Sequence, residues 1–411
     1  MGRFKNQGIY FVWYLSLFFY LFFVTTTISN AGTSITLACS ILSTIYLYHK
    51  YNIKVTLPDK NFLWPFGLFF LSLLVSALAL KDGKSLYSIW KYFTWTIPFW
   101  VFYFAGKAHF PRQIYYWATL CANFLLSGYA IYLALFLLPF GSRVKGFSSN
   151  PNLYAMRIES ILPYICLIAL LIMQQNRIKV KSIKQGIKKS LILLSVIICL
   201  VGVLLTQSRG ANIGVFFGLT VVVCIHVLLR KKKSAKNTVA IIITILALLC
   251  TAFYAYNNNF KRSYDYERIL LWQSSYNMWN DHKVFGVGFS NWQKEYREHY
   301  ISPAAKELDL PMPHNVVLQF FATTGLIGGS GYVLFVLGET RFLIKRMQRF
   351  PNELNYPMML WAFLLITIHG MFDAGITNKF AMQILCAYMG ICLAEEKVPA
   401  DTGKEKLKGD W

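Results

Sequence analysis

Arg209, Arg268 and His314 are the side chains of this sequence best placed for chemistry, because each stands where an apolar run meets a polar segment. Arg209 lies in Thr206-Gln207-Ser208-Arg209-Gly210-Ala211, and no other charge falls between Lys189 and Arg230. A guanidinium fork grips phosphate oxygens two at a time and never loses its charge, so one reading is a clamp for a pyrophosphate or glycan phosphate. The other is an interfacial arginine that anchors a helix end. Arg268 follows Asp265-Tyr266-Glu267. There Asp265 or Ser263 reads as a helix cap, or Asp265 and Glu267, or Glu295 with Glu298-His299, as oxygen and imidazole ligands for a metal; neither spacing is diagnostic. His314 closes Pro311-Met312-Pro313-His314-Asn315. Two prolines stiffen the approach, Asn315 offers a hydrogen bond beside it, and an imidazole can take a proton from a sugar hydroxyl at neutral pH. Alone, a histidine at a helix start is equally a polar cap. A general base facing two arginines suits glycosyl transfer.

Those groups need elements to hold them, and composition names the class. Of 411 residues, 56% are apolar and 14% charged. Apolar runs long enough to cross a hydrocarbon core of ~30 Å as helix recur along the whole chain. The sequence therefore reads as an all-α polytopic membrane protein of about twelve spans. They fall near 9–25, 33–48, 62–80, 86–105, 114–138, 153–173, 189–206, 210–229, 238–256, 314–338, 355–371 and 379–394. Segment 1–256 holds spans one to nine, 257–313 is a large polar loop with short helices, 314–394 holds spans ten to twelve, and 395–411 is a tail. The first run reads as a retained span, since no small-residue cleavage site follows Leu21-Phe22-Phe23. Within the loop, Ile269, Trp272, Tyr276 and Trp279 recur at helical spacing, which predicts an apolar face on the membrane surface or against the bundle. Gly286-Val287-Gly288 reads as a turn between two helices of the loop.

A net charge of +23 is distributed as a topology signal, not as a nucleic-acid surface. With the amino terminus in the cytoplasm, loops on that side carry 26 of the 41 Lys and Arg residues. The short opposite loops carry only Lys81, Lys84, Arg143, Lys145, Arg209 and Lys379. That bias places both termini in the cytoplasm and the 257–313 loop outside, in the periplasm or its equivalent. All eight cysteines fall inside apolar spans, so neither a disulfide framework nor a cysteine metal site is expected. No nucleotide-binding pattern occurs, and the driving force of any reaction must reside in its substrate.

In order along the chain, Leu205-Thr206-Gln207-Ser208-Arg209-Gly210-Ala211, Glu267-Arg268 followed by Trp272, Gly286-Val287-Gly288-Phe289, and His314-Asn315-Val316-Val317-Leu318-Gln319 with Thr324-Gly325-Leu326-Ile327-Gly328 resemble the bacterial O-antigen ligase superfamily. That superfamily includes O-antigen ligases, O-antigen polymerases and protein O-oligosaccharyltransferases. The resemblance covers residues 200–375, while the first 150 match only in hydropathy. His282-Lys283-Val284-Phe285-Gly286 departs from the proline often found before that glycine. The resemblance implies a GT-C-like membrane glycosyltransferase that moves a glycan from undecaprenyl diphosphate to the lipid A-core oligosaccharide in lipopolysaccharide biosynthesis. Transfer would be inverting and metal-independent, on the periplasmic face of the bacterial inner membrane. Carried onto this sequence, Arg209 and Arg268 hold the diphosphate and its leaving charge, and His314 activates the acceptor hydroxyl. Gln207, Trp272, Asn315 and Asp373 join them as substrate-binding positions, with Asp373, in Gly370-Met371-Phe372-Asp373, orienting an arginine or the histidine. The implied partners are the lipid-linked glycan, the lipid A-core acceptor and the bilayer, with no cofactor and no nucleic acid.

Two competitors stand beside the ligase. A polymerase would accept a second lipid-linked repeat, but polymerases often carry two large external loops and the 139–152 loop here is short. A lipid or glycan transporter would line a path with intramembrane charges, and only a few charges, such as Lys91, Arg157 and Glu159, lie near or inside spans.

Overall fold

The computed structural model describes residues 7–175, 183–229 and 263–394, with isolated helical positions between 239 and 249. The expected ninth span, 238–256, the first residues of the polar loop and the tail 395–411 lie largely or wholly outside the described residues. All regular structure among the described residues is helical. In chain order the helices are α1 (Gln7–Thr26), α2 (Asn30–Lys50), α3 (Lys60–Ala79), α4 (Gly83–Thr94), α5 (Ile97–Lys107), α6 (Arg112–Tyr132), α7 (Pro151–Gln175), α8 (Ile183–Leu205) and α9 (Arg209–Leu228). There follow α10 (Ser263–Asp281), the short α11 (Trp292–Glu295), α12 (Val316–Arg349), α13 (Asn355–His369) and α14 (Lys379–Ala394). Eight of the described helices (α1, α2, α3, α6, α7, α8, α9 and α12) are long and apolar enough to cross a membrane. The chain is a multi-pass membrane protein.

The expected span at 86–105 is instead two short helices, α4 and α5. Pro98 supplies no N–H to carry α4 onward, and the Thr96 hydroxyl closes α4 by donating to the Phe93 carbonyl at 2.8 Å. The expected span at 314–338 runs on as α12 to Arg349, 34 residues in all.

Between helices in lipid there is little hydrophobic driving force, so close backbone approach through small residues decides which helices pair. α9 turns Gly210, Gly214 and Gly218 toward α13, where a Cβ on Gly214 would sit 2.8 Å from the Leu365 carbonyl oxygen. Trp361 of α13 seals the contact by donating its indole N–H to the Val215 carbonyl at 3.0 Å. α14 fits against α5 by the same means, with Gly390 facing the Phe99 carbonyl. From Ala381 to Ala394 it is buried on every side, as a helix apolar all round must be. These contacts fix the connection from α13 to α14 and the start of α9 at one end of the bundle.

The polar loop is docked, not draped. Inside α12, Gly325 (φ 63°, ψ −161°) breaks the helix, and the released backbone groups need partners at this depth. The loop provides them. The N–H groups of Leu326 and Ile327 donate to the carbonyls of Lys283 (2.7 Å) and Val284 (3.3 Å), while those of Val287 and Gly288 donate to Ala322 (3.0 Å) and Thr323 (2.9 Å). The turn at Gly286-Val287-Gly288 and the Thr324-Gly325 break are thus two halves of one contact. Two side chains anchor it further: the Asn291 amide donates to Asp82 Oδ2 at 3.0 Å, and the Ser76 hydroxyl donates to the Phe285 carbonyl at 2.7 Å.

α10 buries Glu267, Leu270, Leu271, Ser274, Ser275 and Met278, and of the expected apolar face Ile269 and Tyr276 are 55% and 52% exposed, turned away from the bundle. The inward face docks on irregular backbone and needs hydroxyls: Ser274 donates to the Tyr300 carbonyl at 2.6 Å, and Ser275 accepts the Trp292 indole N–H at 3.0 Å.

A substitution pair tests this docking. Gly141 (φ +80°) has open space around it, whereas a Cβ at Gly325 (φ +63°) would lie 2.3 Å from the Val284 backbone. Gly141→Ala should cost about 1–2 kcal/mol of left-handed strain, and Gly325→Ala about 1–3 kcal/mol more from the clash. Thermal melting in detergent should rank Gly325→Ala well below Gly141→Ala; equal midpoints would remove the loop from the helix break.

Candidate active site

Two helix starts build the site with the same three-residue device. Gln207 (φ 50°) precedes the N-cap Ser208 and then Arg209, and His314 (φ 52°) precedes the N-cap Asn315 and then Val316. Ser208 Oγ accepts the Ala211 N–H at 3.4 Å, and Asn315 Oδ1 accepts the Leu318 N–H at 3.1 Å. Left-handed backbone at a non-glycine residue costs energy and concentrates at functional sites, where the surroundings enforce it. Here the enforcement is visible: the Val316 N–H donates to the Gly370 carbonyl at 2.8 Å. The start of α12 is thereby tied to the end of α13, three residues before Asp373.

Asp373 is the hub. It is 3% exposed, and its Oδ1 accepts the Ala374 N–H at 2.8 Å while Oδ2 accepts the Asn152 amide at 2.9 Å. Two side chains face the same carboxylate: His314 Nδ1 is 3.5 Å from Oδ1 and Arg268 Nη2 is 4.0 Å from Oδ2. At 3.5 Å the imidazole contact is longer than a good hydrogen bond, and His314 Nδ1 has no nearer partner. Burial pushes the Asp373 carboxyl upward. The adjacent His314, the charge of His369 and the Ala374 N–H outweigh that push and hold it well below the ordinary carboxyl value. It is ionised at neutral pH.

Arg209 meets Asp265 of α10 in a two-pronged ion pair, with Nη1 to Oδ2 at 3.1 Å and Nη2 to Oδ1. Their side chains are 24% and 32% exposed, so the pair is within reach of a competing anion. Asp265 therefore lies inside the first turn of α10 as a counter-ion and does not cap it. The Glu267 carboxylate accepts the backbone N–H groups of Lys306 (3.1 Å) and Glu307 (3.3 Å). Glu295, Glu298 and His299 form long ion pairs of 3.8–3.9 Å among themselves and with Lys294 on a largely exposed surface. Among the described residues no three carboxylates, imidazoles or thiols gather to hold a metal.

The remaining expected positions divide. Trp272 is partly buried against Leu271, Met278 and Trp292, and its indole N–H has no partner. The Asn315 side-chain oxygen is occupied by the cap. Gln207 points its amide at the Gly141 carbonyl, 2.7 Å away, and so ties the 139–146 segment to the start of α9.

Other residues of the site carried little sequence signal. Arg143 counted only as a charge, yet it donates to Asn152 Oδ1 at 2.7 Å and to the Thr206 carbonyl at 3.1 Å. It thereby fixes the amide that Asn152 offers to Asp373. Beneath the start of α9, His369 and Glu159 form a buried pair at 2.5 Å, with the His369 ring against Gly210. A histidine and a glutamate on two apolar helices are the signal that exposes such a pair. Arg157 lies over the Phe380 ring at 5.5 Å.

Residues 194–333, which contain Arg209, Arg268 and His314, match the family model described as O-antigen ligase. Over that stretch the chain is similar to the O-antigen ligase family. No curated protein matches it. The matched stretch supplies both arginines and the histidine, while Asp373, which gathers two of the three, lies beyond it.

The charge state of Asp373 sets a pH signature. Because its folded-state value lies below the unfolded one, Asp373 stabilises the fold above the ordinary carboxyl range, about pH 4, and that contribution is lost as pH falls through the lower folded value. The melting midpoint of Asp373→Asn should lie below wild type by a gap that does not shrink between roughly pH 8 and 5 and narrows only below about pH 4. A gap already closing between pH 7 and 5 would contradict the assignment.

Proposed function

We propose that this chain is an O-antigen ligase, transferring a glycan from undecaprenyl diphosphate to the lipid A-core oligosaccharide on the periplasmic face of the bacterial inner membrane. Both termini then lie in the cytoplasm, as the charge bias argues. The observation that carries the reading is the buried Asp373 carboxylate, which faces the His314 imidazole and the Arg268 guanidinium at once.

The chemistry follows from those positions. The acceptor hydroxyl oxygen attacks the anomeric carbon from the side opposite the diphosphate. A new carbon–oxygen bond forms as the bond to the phosphate oxygen breaks, and the configuration inverts. The hydroxyl proton passes to His314, through Nε2, since Nδ1 faces Asp373. Asp373 orients the imidazole and stabilises the imidazolium, as a buried carboxylate does behind a general base. The departing diphosphate keeps the bonding electrons, and Arg209 and Arg268 take up its charge. Asp265 keeps the Arg209 fork ordered until a diphosphate, with more charge and the same two-point geometry, displaces it. No metal takes part in this sequence. One dominant polar loop, with only a short segment between α6 and α7, favours the ligase within the superfamily.

The test is transfer in purified form, with lipid-linked glycan and lipid A-core as substrates. His314→Ala should lower turnover about 10²–10⁴-fold while donor binding persists. Arg209→Lys should recover little, because an ammonium cannot make the two-point contact, and chelators should leave the rate unchanged. Lengthened lipid-linked glycan in place of substituted lipid A-core would make the chain a polymerase. Activity that chelators abolish and one divalent ion restores would overturn the metal-free mechanism.

A further inference from the structure

The end of α12 opposite His314 carries a polar feature that glycosyl transfer leaves unused. α3 and α12 touch at Pro65 and Gly338, where a Cβ on the glycine would lie 2.5 Å from the proline ring. A cavity of ≈ 500 Å³ opens beside that contact, lined by Asp59 and Trp64 of the α3 end and by Arg341, Lys345, Arg346 and Arg349 of α12. Arg346 is buried and spoken for: its guanidinium is 2.5 Å from Asp59 Oδ2 and lies over the rings of Phe342 and Phe350 at 5.2 and 5.8 Å. Arg341, Lys345 and Arg349 are exposed. Spaced four apart, they form one row on the helix, where like charges repel. Asp59 is the only carboxylate among the lining residues, and it already balances Arg346. A cavity with three further cations around it is built for an anion.

Depth and surroundings narrow the anion. The part of α12 beyond the Gly325 break runs to Arg349 and is about 36 Å long against a hydrocarbon core of ~30 Å, so its last turns stand at headgroup level. Trp64, 72% exposed one turn into α3, is the interfacial residue expected there. Deeper along the same two helices, Leu71 and Leu337 are 57% and 60% exposed. A free phosphate has no use for that apolar surface, whereas acyl chains do. We infer that this cavity binds the phosphate headgroup of an anionic phospholipid, in the leaflet opposite the His314 site. Arg341, Lys345 and Arg349 supply positive charge to the phosphate oxygens, and the chains run down α3 and α12. The inference stands on this geometry alone and does not depend on the proposed reaction.

The experiment is native mass spectrometry of the full chain after incubation with equal amounts of phosphatidylglycerol and phosphatidylcholine. Wild type should retain phosphatidylglycerol preferentially. Each basic side chain near an anionic surface is worth about fivefold, so Arg341→Gln/Lys345→Gln should retain about 25-fold less phosphatidylglycerol with phosphatidylcholine unchanged. Arg341→Lys, which keeps the charge, should stay within a few fold of wild type, and so should Lys50→Gln/Lys54→Gln in a basic segment outside this cavity. Millimolar inorganic phosphate should not displace the lipid. No preference in wild type, undiminished retention in Arg341→Gln/Lys345→Gln, or an equal loss in the Lys50/Lys54 control would overturn the site. Displacement by inorganic phosphate would replace the lipid with a free anion.

Discussion

A buried ionised carboxylate organises this end of the molecule. Taking a carboxylate out of water is costly unless hydrogen bonds and opposite charges replace the solvent, and Asp373 receives both from separate parts of the chain. A neighbouring N–H and the Asn152 amide fill its lone pairs, while His314 and Arg268 face it from the start of α12 and from α10. No two of these four partners share a helix. The carboxylate therefore serves as a register mark: α7, α10, α12 and the α13–α14 connection must each arrive in place for its charge to be satisfied. Arg143 extends the mark by one step, since it holds Asn152 and the Thr206 carbonyl together.

Arg209 reaches the same neighbourhood by packing. The glycines at 210, 214 and 218 let α9 lie close on α13, which sets the first residue of α9 near the residues that follow α13. Helix ends of this kind hold a side chain more firmly than a loop does, and a clamp for a diphosphate needs that firmness. The polar loop gains comparable rigidity from the Gly286–Gly325 backbone contact and from Glu267, which gathers the backbone at 306 and 307. Its arginine is in consequence carried by a docked helix. At rest both arginines face carboxylates, Asp265 and Asp373, so the site is charge-balanced before any substrate arrives. The dianionic donor of the proposed reaction would have a defined exchange to make.

Much of this was legible in the sequence. The apolar periods predict most of the helices, and an arginine alone between two apolar runs, an arginine behind an acidic pair and a histidine behind two prolines mark the site. The failures have particular causes. Asp265 and Glu267 read alike as candidate metal ligands because that role asks only for carboxylates at close spacing. What separates them is the partner each meets, Arg209 for one and a distant backbone for the other, and no local pattern encodes either. The inward stripe of α10 mixes Leu270, Leu271 and Met278 with hydroxyls that bond irregular backbone, so its apolar period does not point to it. Asn152 carries no motif at all. It becomes visible only once α7 and the residues around Asp373 are brought together in space, and the break in span four turns on Pro98.

The central claim is that Asp373 acts through His314, and a double-mutant cycle on turnover tests it most directly. Asp373→Asn, His314→Gln and the double variant should be compared with wild type in the same purified transfer assay. If the carboxylate works by orienting the imidazole and stabilising its protonated form, the double variant should be about as slow as His314→Gln alone, because residues that act as a unit are lost together. Losses that multiply, with the double variant slower than His314→Gln by the full Asp373→Asn factor, would mean that Asp373 acts independently of His314 and would contradict the account.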